Sequence, residues 1–336
     1  MNASLMRPHT GCACTLSVVI PVFNEEAALP ALHRRLLDAV QELHGGVEIV
    51  YVDDGSTDGS ARLLGALHAS CPLVSVVRLS RNFGKEQAMT AGLQFARGAA
   101  VVVMDADLQH PPEMIPAMVA AWRAGADVVN MRRRSRRDEP RLRRLAAHAF
   151  YRLLNRLSDI PIPEDVGDFR LLSRRAVEAL NQFPERNRFM KGLFAWVGFR
   201  QATIEFDVAE RAAGHSKWRP HQLWALAVEG ITAFSIEPLK LASKVGLLSA
   251  ALAFCMGVYF FFRTLMYGDP VAGFPTLVIV LLMLGGLQLL AIGVLGEYLG
   301  RLWLESKRRP IYLVQDYEAA TGVEEKPLYA QPLARS

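Results

Sequence analysis

Two stretches towards the C-terminal end, residues 245–262 (VGLLSAALAFCMGVYFFF) and 270–296, contain no charged side chain, and this limits the fold more than any other feature of the chain. A bilayer core about 30 Å thick needs roughly 20 helical residues, so the first stretch is just long enough to span it and the second has length to spare for tilt. Core helices of a soluble protein rarely run so far without a polar stripe. The short connection, residues 263–269, predicts a helical hairpin. Lys240 and Lys244 precede it, and Arg301, Lys307, Arg308 and Arg309 follow it. The positive-inside rule then puts both flanks in the cytoplasm and leaves only the connecting loop outside.

Over the whole chain 51% of the 336 residues are hydrophobic, 21% are charged and the net charge is +5, which excludes a disordered protein. Cys12, Cys14, Cys71 and Cys255 are too few and too irregular for a disulfide framework, and the CxC pair lacks a second pair to make a zinc site. Reduced thiols in a cytosolic setting are the expectation. Only Arg7 precedes the apolar run LSVVIPVF, which leads into Asn24, Glu25 and Glu26 with no small-residue cleavage site. That run reads as a strand rather than a signal peptide, so the bulk of the chain is expected in the cytoplasm.

The first 240 residues alternate apolar β-branched runs with helical patterns: SVVIPV, ALPALHRRLLDAV, EIVYVDDGS, SARLLGALHAS, VSVVRLS, EQAMTAGLQFA, AAVVVMDADLQ. Such βαβ alternation predicts an α/β fold with a mostly parallel sheet covered by helices on both faces. Polar residues gather where strands end: Asn24 and Glu25, Asp53 and Asp54, Arg81 and Asn82, Asp105 and Asp107. Ligands of open α/β sheets bind outside the carboxyl ends of the strands, so the four clusters should meet at one crevice. Neither GxGxxG nor GxxxxGK[ST] occurs at these turns, which argues against a dinucleotide dehydrogenase or a P-loop ATPase. The last thirty residues read as a loosely ordered tail.

In DADLQHPPE, Asp105, Asp107 and Gln109 alternate, and in an extended stretch alternate side chains share a face. Three oxygen donors so placed suit Mg²⁺ or Mn²⁺, which take a few carboxylates and complete their shell with substrate phosphates. Taken alone, the pair also suits a helix cap ahead of Pro111 and Pro112. DDGSTDG sets Asp53, Asp54, Ser56 and Asp58 in a tight turn, where carboxylates can accept from a base N–H or a ribose hydroxyl, or form an ordinary Asx turn.

PVFNEE, VDDGSTDGS, LSRNFGKEQAMTAGL, DADLQHPPE, VGDFRLLSR and ERAAGHSKW follow in this order. In sequence and spacing they resemble family-2 glycosyltransferases of the GT-A fold. The resemblance is to the dolichol-phosphate mannose synthase-like group, and most closely to its bacterial two-span bactoprenol (undecaprenyl-phosphate) glucosyltransferases; it covers about residues 15–315. It implies that Pro21, Phe23, Asn24, Glu25, Asp53, Asp54, Lys85 and Asp105 bind the nucleotide sugar, and that Asp105, Asp107 and Gln109 hold the metal. It makes Asp107 and Asp168 the catalytic pair, with Asp168 next to the reacting sugar. Arg211, Ser216 and Lys217 match the RxxGxSK segment that closes over the phosphates. Where family members usually have Gly-Asp before the metal-site strand, this chain has Gly98, Ala99 and Ala100, too far from the carboxylates to disturb them.

The arginine-rich run 132–144 is the largest charge feature. Leu142, Leu145, Ala149 and Leu153 recur at helical spacing beside a stripe of His148, Arg152 and Arg156, so residues 141–157 predict a basic amphipathic helix in the interface of an anionic leaflet. Arg133 and Arg136 match the family's RxxR that faces the lipid phosphate, a role suited to the two-pronged guanidinium. Phe150 and Tyr151 are too few aromatics for a nucleic-acid surface.

The resemblance thus implies a GT-A domain over 1–238, two spans at about 243–265 and 271–298 within 239–303, and a cytoplasmic tail over 304–336. The implied enzyme is an inverting, metal-dependent transferase in the inner membrane, moving a sugar from a nucleotide diphosphate to polyprenyl monophosphate. UDP-glucose is the favoured donor, with other UDP-sugars and GDP-mannose as alternatives. The implied glycan is a lipopolysaccharide or cell-envelope modification, and self-association and a product flippase are further expectations. A processive polysaccharide synthase would carry QxxRW, which is absent. A membrane-anchored nucleotide-sugar scaffold would have no need of Asp105, Asp107 and Asp168.

Overall fold

The computed structural model describes residues 14–43, 45–134, 166–183, 185, 188, 190–206, 237–267 and 273–321. Arg136, Arg211, Ser216, Lys217 and the amphipathic stretch 141–157 lie outside them. The chain forms two compact units, one around a sheet and one, over Pro220–Arg309, containing two long helices.

The sheet unit begins with β1 (Cys14–Val22), α1 (Leu29–Gln41), β2 (Gly46–Asp53), α2 (Ser60–Ser70), β3 (Val74–Leu79), α3 (Lys85–Phe95) and β4 (Ala100–Val103). A 3₁₀ turn at Pro112–Met114 then leads into α4 (Ile115–Arg123), β5 (Val128–Arg133), β6 (Val166–Ser173), α5 (Arg174–Asn181), α6 (Met190–Trp196) and β7 (Gln201–Phe206). After the long helices, β8 (Val314–Glu318) completes a sheet of order β7-β5-β6-β4-β1-β2-β3-β8. β1 pairs in parallel with β2 and β4, β2 with β3, and β5 with β7. β6 runs antiparallel between β4 and β5.

Strands buried on both faces read as continuous apolar runs, and every residue of β2 after Gly46 is buried. On one face Val18, Ile20, Ile49 and Tyr51 join Leu29, Leu32, Leu36 and Val40, the i, i+3, i+4 stripe of α1. On the other face α3 lies close to the sheet because Gly92 has no side chain; a Cβ there would come within 2.2 Å of Val19.

His33 of α1 is buried, with Nδ1 3.1 Å from the Tyr51 hydroxyl, and burial holds its pKa below the ordinary 6.5. As pH falls through 6.5 the unfolded chain takes up this proton first. The histidine's contribution is therefore complete above that value and declines below it, until the folded ring also titrates. His33→Asn is expected to flatten the acid side of a stability–pH profile measured by denaturant melts; an unchanged slope would rule out this residue as a source.

The last thirty residues do not form only a loose tail. β8 pairs antiparallel with β3, Arg78 binds Asp316 at 2.8 Å and Glu318 at 3.0 Å, and Tyr312 is buried and bonded to Gln94. Arg97 donates to the Tyr317 hydroxyl at 2.6 Å, and the Tyr317 ring meets Phe95 at 4.6 Å. VQDYE alternates weakly and is polar because an edge strand covers no second layer.

The second unit packs α7 (Glu237–Tyr267) against α8 (Phe274–Ser306). The helix runs further than the sequence predicts: Arg263 to Tyr267, expected in the connecting loop, are helical, because nothing in the sequence breaks the helix before them. Leu247, Leu248, Phe254, Leu265, Leu281, Met283 and Leu289 are each more than 60% exposed, a surface that water would penalise and lipid would not. Met283–Ser306 within α8 is long and apolar enough to cross a membrane; Lys244–Met256 in α7 is a shorter apolar stretch.

Candidate active site

The carboxyl ends of β1, β2, β3 and β4 share one edge of the sheet, as their parallel pairing requires. β6 runs the other way, so its beginning, with Asp168 as third residue, enters at that same edge. β5 is antiparallel to β6 and ends there with Arg133.

Lys85 is the centre of the arrangement. It is the first residue of α3, where the helix dipole disfavours a cation, so its placement does not serve the helix. Its Nζ lies 2.6 Å from Asp105 Oδ1 and 2.6 Å from Asp168 Oδ2. Burial works against the ammonium, but the two carboxylates outweigh it and hold the lysine above its usual range. A cleft of about 280 Å³ opens beside it, lined among others by Pro21, Phe23, Glu25, Asp54, Asp105 and Asp107. Phe23 is 42% exposed there, a flat apolar face in an acidic cleft.

Asn24 and Asp53 serve the turns instead. Asn24 sits at φ 56°, tolerable for asparagine, and its Oδ1 accepts from the Thr57 and Asp58 amides at 2.8 and 3.3 Å. Asp53 Oδ1 accepts from the Ser56 amide. Asp54 faces the cleft and also anchors the next loop, accepting from the Phe83 and Gly84 amides at 2.8 and 2.9 Å. Burial pushes its carboxyl up, only partly offset by those two amides.

Gly55, at φ +67°, brings this turn against the β3 loop, and a Cβ there would lie 2.5 Å from the Arg81 carbonyl carbon. A left-handed L-residue costs about 1–2 kcal/mol before any clash. Gly55→Ala is therefore expected to lower stability by at least about 2 kcal/mol, or about 4–8 °C in Tm for a domain of this size. A melt identical to that of the wild type would contradict this.

The acidic loop after β4 differs from the extended stretch that sequence alternation predicts. β4 ends at Val103, and Leu108 sits at φ 63°, uncommon for a bulky residue. Asp107 Oδ1 accepts from the Gln109 amide at 3.1 Å, and the Asp105 amide donates to His110 Nδ1 at 3.0 Å. Asp105 and Asp107 thus reach the cleft from a bent loop, not from an extended strand.

Behind Asp168, the buried Arg170 donates to the Gly167 carbonyl at 2.6 Å and lies 3.9 Å from the Phe194 ring centroid. Burial pushes Arg170 down to about 10, against the attraction of Asp168 and Glu86. Of the basic run, Arg132 and Arg134 pair with Glu205, while Arg133, on the alternate side of the strand, acts on the buried His110. Burial lowers the pKa of His110 below the ordinary 6.5, against the opposing pull of Asp105 and Asp107.

Among the described residues, no three His, Cys, Asp or Glu side chains converge as a self-sufficient metal site. The Asp105 and Asp107 carboxylates that line the cleft are instead a partial set of hard oxygen donors, of the kind that fits a cation whose shell a diphosphate completes. Glu25, Asp54, Asp105 and Asp107 line the cleft against the single ammonium of Lys85, an excess of negative charge that a divalent cation would reconcile with an anionic substrate.

Residues 17–180 match the model of Glycosyl transferase family 2, and residues 237–302 match the GtrB C-terminal hairpin. The chain is 46% identical over 301 residues to the bactoprenol glucosyl transferase of Shigella phage SfV, covering 90% of this chain and 98% of that protein. It is 45% identical over 300 residues to a prophage bactoprenol glucosyl transferase homolog of Escherichia coli K12, covering 89% and 98%. Among solved structures, glucosyl-3-phosphoglycerate synthase from Mycobacterium tuberculosis is similar at 23% identity and a TM-score of 0.42, over 65% of this chain and 78% of that one. The chain belongs to glycosyltransferase family 2, and it is a membrane-associated glycosyltransferase carrying the GtrB-type hairpin.

Proposed function

We propose that this enzyme transfers glucose from UDP-glucose to undecaprenyl (bactoprenol) monophosphate at the cytoplasmic face of the membrane, with inversion. The observation that carries the reading is the meeting of Asp105, Asp168 and Lys85 at the carboxyl edge of the sheet, in a chain aligned along nearly the full length of a phage bactoprenol glucosyl transferase. Phe23 and Asp54, which line the cleft, would receive the nucleoside. Asp105, Asp107 and Gln109 would hold Mg²⁺ or Mn²⁺, which when bound supplies Lewis-acid neutralisation of the leaving diphosphate. Lys85 keeps Asp105 and Asp168 together and adds a positive charge beside the cleft. Arg133, at the same edge, would meet the acceptor phosphate. An oxygen of that phosphate forms the new bond to the anomeric carbon as the bond to UDP breaks. Because a phosphate monoester is largely dianionic above its second pKa of about 6, the attack needs no general base.

The long helices are read as a two-span hairpin on parity. β7 and β8 flank them in sequence and belong to one sheet, hence to one compartment, so the chain between them crosses the bilayer an even number of times. α8 contains one segment fit to cross, and α7 would supply the second.

Purified enzyme offered a panel of UDP- and GDP-sugars with undecaprenyl phosphate should yield hexosyl-phosphoryl-undecaprenol from UDP-glucose by mass spectrometry. A product from GDP-mannose or another UDP-sugar alone would move the assignment to that donor. A cysteine at 269, in a chain without its other cysteines, should react with an impermeant thiol reagent in intact cells. Labelling of a cysteine near residue 330 instead would overturn the topology.

A further inference from the structure

His110 has no part in the chemistry so far, yet its ring joins the two segments that grip Lys85. It is 2% exposed, and its Nδ1 accepts the Asp105 amide proton at 3.0 Å. A backbone amide can only donate, so Nδ1 carries no proton and the neutral ring has its hydrogen on Nε2. One face of the ring stacks on Phe169, the residue after Asp168, with centroids 5.0 Å apart and planes 15° apart. Phe206 closes the pair edge-on, at 6.3 Å from His110 and 5.8 Å from Phe169. On the β6 side, a Cβ on Gly167 would lie 3.8 Å from His110 Nε2. The hydrogen bond from Asp105 to His110 also closes the loop containing Leu108 at φ 63°, a conformation that persists only where its surroundings enforce it.

We infer that His110 is a positioning residue: it fixes the backbone of Asp105 by a hydrogen bond and the backbone beside Asp168 by stacking, and so sets the separation of the two carboxylates that hold Lys85 and face the donor diphosphate. The inference rests on the transferase reading for its consequence in turnover but not for its geometry. Two of its parts separate by substitution. His110→Asn places an amide oxygen where Nδ1 stands, keeping the acceptor for the Asp105 amide and losing the stacked ring. His110→Phe keeps an aromatic face against Phe169 and loses the acceptor.

The full-length protein in detergent should be compared as wild type, His110→Asn and His110→Phe by thermal melts, by calorimetric titration of UDP with and without Mn²⁺, and by transfer kinetics. Stability and function should rank in opposite orders. The Phe variant should melt higher than the Asn variant, yet lose roughly 100-fold in kcat and roughly 10-fold in Mn²⁺-dependent UDP affinity, of which the Asn variant should recover about tenfold and severalfold respectively. If UDP affinity and kcat instead follow melting temperature across the two variants, or if both bind and turn over as the wild type does, His110 is packing only and the inference fails. Should the wild type bind UDP with Mn²⁺ but transfer no sugar to undecaprenyl phosphate, the proposed acceptor is wrong, and the ranking of UDP affinities still decides the role of His110.

Discussion

Asp107→Asn is expected to reduce turnover by a factor on the order of 10²–10³, about 3–4 kcal/mol of barrier. The substitution preserves the bond that Oδ1 accepts from the Gln109 amide at 3.1 Å, since an asparagine oxygen can accept it equally. The loop therefore keeps this bond while the site loses a negative charge. A neutral amide is a poor ligand for a hard divalent cation, so Mn²⁺-dependent binding of the donor should weaken along with turnover. Kinetics over a Mn²⁺ titration, with calorimetry of UDP binding, measure both. Full activity in the variant, or undiminished wild-type activity in excess chelator, would remove the metal from the proposal.

Asp168→Asn is expected to cost at least as much, for a different reason. Asp168 Oδ2 is already engaged by Lys85 Nζ at 2.6 Å, so on the proposed reading the carboxylate acts as a fixed charge and not as a proton acceptor. Removing its charge weakens the hold on Lys85 that it shares with Asp105, and on the proposed reading it takes a fixed neighbour from the sugar and the acceptor phosphate. The acid limb of kcat/KM for the acceptor should belong to the lipid phosphate, whose second pKa is about 6. It should therefore survive in the variant at a much lower overall rate. A residual rate with no acid limb would make Asp168 the general base and overturn this account.

Much of the site was readable as local pattern. Asp54, Asp105 and Asp107 follow apolar runs that could only be strands, and the rule that ligands gather at carboxyl ends brings them together without coordinates. Lys85 was legible only through resemblance to a family, since a lysine opening a helix has no pattern of its own. His110 was missed. A buried neutral histidine next to two prolines reads as ordinary core, although its position directly after Gln109 was the available signal. The alternation argument in DADLQ assumed the wrong geometry, because period-2 spacing requires a strand and β4 had already ended at Val103.

What the sequence determined by itself is what short-range periodicity encodes: strand and helix runs of the α/β core, the turn chemistry at their ends, and two apolar stretches that water cannot accommodate. Only the tertiary structure decided the rest. The antiparallel entry of β6 carries Asp168 to Asp105, and β8 returns the chain after the long helices to the edge of β3. Both are pairings between segments distant in sequence. Their partners are selected by the twisted sheet and the side chains that close over it, so the hydrophobic period of either strand alone contains no record of which edge it will join.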